Sequence, residues 1–190
     1  MNGISFWEEF GPSALTAKIR AEGMYNFGPS LSPNNAFYIL QGIETLSLRM
    51  KKHIENTKMM LEFLKENEAV SWLRHPDLQD HPDHKIAKKI LPLGSGSIIV
   101  FGIKGGRDAG KAFIENVKLS SHLANVGDAK TLLIHPGSTT HSHLSSEAMK
   151  MSGLTDDMIR LSVGLEDIED IKIDFEKGFK AAAKISSKRS

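Results

Sequence analysis

An uninterrupted helical pattern from Ser32 to about Asn67 constrains this chain more than any other feature. Ser32 offers a capping hydroxyl and Pro33 takes the first helical position, where its missing N–H is no loss. Leu46, Met50, Ile54, Leu61 and Leu64 then recur near one face. At 1.5 Å per residue such a helix runs about 50 Å, long for a small domain unless something packs along it. Gly42 marks a bend, a close crossing, or a glycine tolerated inside the helix. Ahead of this pattern the first 30 residues hold four of the sixteen glycines and two prolines, which argues for turns and an irregular approach segment.

Beyond the long helix the period changes. Val70 to Leu73 and Ser97 to Ile103 read as strands, joined by a connection rich in proline and histidine. Arg107 to Val117 is helical, with Ala109, Phe113 and Val117 in phase. Leu119 to Leu123, Thr131 to Ile134 and Met158 to Val163 are short and strand-like, and Ser145 to Met151 is helical. Asp167 to Lys184 closes the chain with Ile168, Ile171, Phe175 and Phe179 spaced to lie on a sheet. The expected fold is α+β: a small, mainly antiparallel sheet covered by helices on one side and preceded by a long helix.

With 24 Lys plus Arg against 23 Asp plus Glu, the chain has almost no net field to draw in nucleic acid or an anionic membrane. The absence of cysteine removes disulfides, thiolate nucleophiles and Cys-ligated zinc. No stretch resembles a signal peptide or approaches transmembrane length, so a soluble cytoplasmic protein is expected.

Three polar clusters invite chemistry. His75, His81 and His84 fall in one loop and His135, His141 and His143 in another. Their spacing matches no helix-borne zinc motif, so solvated turn histidines are favoured over a metal site. The glycines at 94, 96, 102, 105 and 106 do not form a phosphate-cradling loop; the Gly105-Gly106 pair reads as a tight strand-to-helix connection in preference to an anion site. The third cluster is Ile134-His135-Pro136-Gly137-Ser138-Thr139-Thr140-His141-Ser142 followed by Met158 to Asp167. Arg160 is its anomaly, a guanidinium inside an apolar β-like run, opposite in phase to Ile159 and Leu161. A planar fork of donors that stays charged is well shaped to hold a carboxylate. On spacing alone, an arginine on a solvated strand face, or paired with Glu166 or Asp167, is an equal reading.

The stretches Ile-His-Pro-Gly-Ser-Thr-Thr-His-Ser and Ile-Arg-Leu-Ser-Val-Gly-Leu-Glu-Asp resemble the end of the pyridoxal-phosphate enzymes of Cys/Met metabolism, the cystathionine γ-synthase-like family. The resemblance extends through Leu31 to Phe37, Gln41 to Met50 and Ser97 to Arg107, nearly the whole chain. His122 to Leu132 looks like the O-acetylhomoserine sulfhydrylase branch, where the cystathionine enzymes usually show Ser-Leu-Gly-Gly. The resemblance implies the small C-terminal domain of a pyridoxal-phosphate transferase over residues 32–190, with 1–31 as a linker. It implies that Arg160 holds the α-carboxylate of an O-acetylhomoserine-like amino acid, that Asn125 helps orient that group, and that Thr140 lies near the same pocket. The reaction implied replaces the acetyl group by sulfide to give homocysteine, a step of methionine biosynthesis and transsulfuration.

The family's cofactor lysine and phosphate loops match nothing here. Thr57-Lys58 lies in the long helix among Asn56, Met59 and Met60 and is rejected as their equivalent. Pyridoxal phosphate is therefore expected in the complete enzyme but not covalently on this chain, which should be catalytically silent without an N-terminal cofactor domain. The chain is also expected to expose apolar surface and to form homo-oligomers. The competing function is a non-catalytic binding or regulatory module that docks on homologous subunits.

Overall fold

A computed structural model describes residues 3–139 and 151–186. The chain divides into two compact units, Met1–Thr45 and Leu46–Ser190.

The first unit holds helical pieces where turns were expected. These are α1 (Phe6–Phe10), a 3-10 turn (Gly11–Ser13), α2 (Ala14–Lys18), a π-helical stretch (Ile19–Met24) and α3 (Tyr25–Phe27), followed by α4 (Pro33–Glu44). Ser5 caps α1 by accepting from Glu8 N, and Ser32 caps α4 by accepting from Asn35 N at 3.2 Å. No described side chain of this unit is buried; Trp7 and Phe27 are 69% and 87% exposed.

The expected single helix from Ser32 to Asn67 is two helices. At Thr45 the backbone leaves the helical region (φ −101°, ψ 1°), and α5 (Leu46–Glu66) starts afresh. A β-branched hydroxyl residue is a weak helix former whose side chain competes for backbone hydrogen bonds, so the break falls there and not at Gly42.

In the second unit a five-stranded sheet runs in the order β1-β2-β5-β4-β3. Its strands are β1 (Val70–Arg74), β2 (Ile98–Ile103), β3 (Ser121–His122), β4 (Leu132–Ile134) and β5 (Met158–Ser162). All neighbours are antiparallel except the parallel β3 and β4, and β1 carries an irregularity in register between Val70 and Trp72. The helices are α5, α6 (His84–Ile90), α7 (Gly106–Asn116) and α8 (Ile168–Ser186). α6 occupies the proline- and histidine-containing connection, for which no element was expected, and the helix expected from Ser145 lies outside the described residues except for Met151.

Alternation sends Ile99, Phe101 and Ile103 of β2, Ile159 and Leu161 of β5 and Leu133 of β4 to one face, where all are fully buried or nearly so. Onto it pack Met60, Leu61 and Leu64 of α5, Ala109 and Phe113 of α7, and the anticipated stripe Ile168, Ile171, Phe175 and Phe179 of α8. At the centre, the Phe113 ring lies 4.8 Å from Phe179 and 5.3 Å from Phe175 between centroids. α7 and α8 come close enough that Gly178 has no room for a side chain: a Cβ there would stand 2.7 Å from the Phe113 ring. Leu46, in contrast, remains exposed, so the apolar stripe of the long helix is used only over its C-terminal half.

Candidate functional site

The face of the sheet turned away from the helices carries the site. Arg160, in the middle of β5, stands opposite Val100 of β2 on one side and Ile134 of β4 on the other. It lines an open groove of about 600 Å³ with Arg74, Val100, Asn125, Ile134 and Met158. The floor is apolar, and the charged groups among these residues are two guanidiniums.

Both ion-pair partners that would have explained Arg160 structurally are engaged elsewhere. Glu166 accepts from Thr131 N at 2.7 Å and from Thr131 Oγ1 at 2.8 Å, while Asp167 accepts from Glu169 N at 2.9 Å. Among the described residues no carboxylate lies within ion-pair distance of Arg160. Its Nη2 donates instead to the backbone oxygen of Asn125 at 3.2 Å. A carbonyl acceptor fixes the orientation of a guanidinium without neutralising it.

Asn125 is thus brought to Arg160 through its backbone. Its side-chain amide serves the local turn: Nδ2 donates to Asp128 Oδ2 at 3.3 Å, and Oδ1 accepts from Val126 N at 2.9 Å. Thr140, the third expected residue, lies outside the described residues, as do His141 and His143.

Three buried polar residues that sequence reading passed over hold this frame. His53 and Asn56 of α5 pin the end of β5: His53 Nδ1 donates to Val163 O at 2.7 Å, and Asn56 Nδ2 donates to Gly164 O and Glu166 O at 3.0 and 2.9 Å. Asp174 of α8 gathers the turn that leads into β3 and on to Asn125. It accepts from the backbone N–H of Lys118, Leu119 and Ser120 at 2.7, 3.0 and 3.1 Å, and from Ser120 Oγ at 3.3 Å, while 2% exposed. A carboxylate at a core position of the apolar α8 stripe, one residue before Phe175, was the legible signal for it.

The described histidines of the two loops bond to backbone groups. His75 Nδ1 accepts from Asp77 N and His81 Nδ1 from Asp83 N, both at 3.1 Å, while His84 donates to Pro76 O at 2.9 Å. His135 donates from Nε2 to Asp156 O at 2.8 Å. Burial pushes the His75 imidazole below its ordinary value, against an opposing pull from Asp77. It does the same to His135, offset in part by the Asp156 carbonyl. Among the described residues no three His, Asp or Glu side chains gather as a metal site, and no helix is long and apolar enough to cross a membrane.

Residues 11–180 match the family described as Cys/Met metabolism PLP-dependent enzymes. The chain belongs to that family. Curated family members similar to it include O-acetyl-L-homoserine sulfhydrylase 1 of Thermus thermophilus, 46% identical over 176 residues, and homocysteine synthase of Schizosaccharomyces pombe, 42% identical over 181 residues. These alignments take in 93% and 95% of this chain but 42% of each relative, so the chain spans about two fifths of their length. Among solved structures, a Campylobacter jejuni protein described as an O-acetylhomoserine (thiol)-lyase, bearing a pyridoxyl-lysine, superposes with a TM-score of 0.79 at 31% identity, over 90% of this chain and 40% of that one. Cystathionine γ-synthase of Xanthomonas oryzae, in complex with aminoacrylate and cysteine, gives 0.75 at 32%, over 84% and 41%.

Pyridoxal phosphate is the cofactor of this family, and its covalent seat requires a lysine. Among the described residues that line the groove beside Arg160 there is no lysine. Lys58 is exposed on α5, and its neighbour Thr57 donates to His53 O at 2.7 Å within the helix. The residues of the groove do not fit a covalent cofactor seat; they fit an anion.

Proposed function

We propose that this chain is the C-terminal small domain, over residues 32–190 with 1–31 as approach segment, of an O-acetylhomoserine sulfhydrylase-like enzyme, and that Arg160 is its substrate-carboxylate clamp. The observation that carries the reading is the Arg160 guanidinium, oriented by the Asn125 carbonyl over an apolar floor and paired with no carboxylate among the described residues. Such a group contributes orientation: it fixes the amino acid relative to chemistry supplied by a lysine-bearing domain, and it moves no proton. The family resemblance implies that Asn125 helps orient the same carboxylate and that Thr140 lies near this pocket, and without that second domain the chain is catalytically silent. The exposed apolar side chains of residues 3–45 support self-association, and a clean monomer by sedimentation would contradict it.

The test is a titration of the chain with O-acetylhomoserine, followed by chemical shifts. Arg160→Ala is expected to weaken binding about tenfold or more, the worth of a charge-assisted bond. Unchanged affinity refutes the clamp. In parallel, the chain is incubated with pyridoxal phosphate and reduced with borohydride, and mass spectrometry should find only scattered, substoichiometric lysine adducts. A stoichiometric adduct at one lysine would refute catalytic silence.

A further inference from the structure

The groove that holds Arg160 holds a second guanidinium in register with it. Arg74, the last residue of β1, stands opposite Val100, and Val100 stands opposite Arg160. The two arginines thus share one row and one face, two strands apart, with Val100 between them. At about 4.8 Å per strand their Cα atoms are about 10 Å apart, and both line the groove.

Arg74 is exposed, but it is not a loose surface arginine. Trp72 lies on the same face two residues earlier, and its ring centroid is 5.9 Å from the Arg74 guanidinium carbon. The indole is itself held: Nε1 donates to Asp157 Oδ2 at 2.8 Å, an oxygen that also accepts from Ser71 Oγ at 2.9 Å. It lies across Gly102, its cross-strand partner, where a Cβ would collide with both the indole and the Asp157 carboxylate. A fixed aromatic platform restrains a guanidinium and leaves its donor fork free for an anion. Among the described residues no carboxylate lies within ion-pair distance of Arg74 either.

We propose that the groove binds small ligands with two acidic groups, one held by Arg160 and the other by Arg74, with the connecting carbon chain on Val100. This deepens and rests on the reading of Arg160 as a carboxylate clamp. A monoacid engages Arg160 alone and leaves Arg74 to water; a diacid of matching span engages both forks and neutralises two like charges facing one groove.

The experiment compares glutarate with valerate, equal in carbon count but differing by one carboxylate, by titration of the full chain at low salt. Glutarate is expected to bind the wild type at least tenfold more tightly. Arg74→Gln, at an exposed position, is expected to remove that preference and leave valerate unchanged, whereas Arg160→Gln weakens both. Equal wild-type affinities, with valerate still lost in Arg160→Gln, overturn the two-acid proposal and leave the clamp standing. Valerate binding indifferent to Arg160→Gln overturns the clamp and the proposal with it.

Discussion

Replacing Asp174 by asparagine tests whether a buried carboxylate on α8 organises the approach to the groove. The substitution keeps the shape and one oxygen. Oδ2 serves Leu119 N, Ser120 N and Ser120 Oγ, so the retained amide oxygen is best placed there, and the new NH2 group then faces the N–H of Lys118. One charge-assisted bond is lost, worth about 1.5 to 3 kcal/mol, and the remaining two backbone bonds are weakened by loss of the charge. A donor set against a donor in a buried site adds to this, giving about 2 to 4 kcal/mol of destabilisation. With a urea m-value of about 2 kcal/mol/M, the unfolding midpoint followed by circular dichroism should fall by about 1 to 2 M at unchanged slope. A shift below about 0.3 M would mean that the turn at 118–120 is held by something other than Asp174, and the account of how Asn125 is delivered to Arg160 would fail with it.

Gly178→Ala should destabilise although alanine is the better helix former. The propensity gain is about 1 kcal/mol, but the new methyl meets the Phe113 ring at 2.7 Å and Phe113 O at 3.0 Å across the α7–α8 crossing, and overpacking costs about 1 to 3 kcal/mol. The thermal midpoint is expected to drop by several degrees, and a rise would contradict the packing argument. Acidification should weaken the fold through His75 and His135. Both imidazoles titrate below their ordinary 6.5 in the folded state because burial disfavours the charge, so as pH falls through 6.5 the unfolded chain takes up protons that the folded chain refuses. Stability is full above that value and declines below it. Urea midpoints measured between pH 7.5 and 5.5 should fall, and a profile no flatter in His75→Gln/His135→Gln would refute the assignment.

The parts of the fold that were legible in sequence are those where burial is periodic. Ile168, Ile171, Phe175 and Phe179 announce the buried face of α8, and the run from Ser97 to Ile103 announces β2, because each places apolar side chains at the period of its own element. α6 was not legible for the same reason: Ile86 and Ile90 are exposed and Ala87 alone is buried, so there is no stripe to see. The helical pieces before Gly28 bury nothing and gave no signal either. At the site, Arg160 was conspicuous as a charge inside an apolar strand, and the family resemblance supplied a role. Arg74 was silent, since its relation to Arg160 exists only once β1, β2 and β5 are placed side by side in register. His53 and Asn56 were hidden by lying on a helix face otherwise read as apolar, and their partners are more than 100 residues away in sequence.

The two margins of the sheet bear on whether copies of this chain can pair strand to strand. β3 closes one margin with only two residues, and β1 at the other is interrupted between Val70 and Trp72 and ends on a charged side chain. A growing cross-strand assembly needs a long, regular, flat template of unpaired N–H and C=O groups, and neither margin supplies one. The self-association proposed above is therefore expected to proceed through burial of apolar side chains, because neither described margin offers a template for extending the sheet from copy to copy.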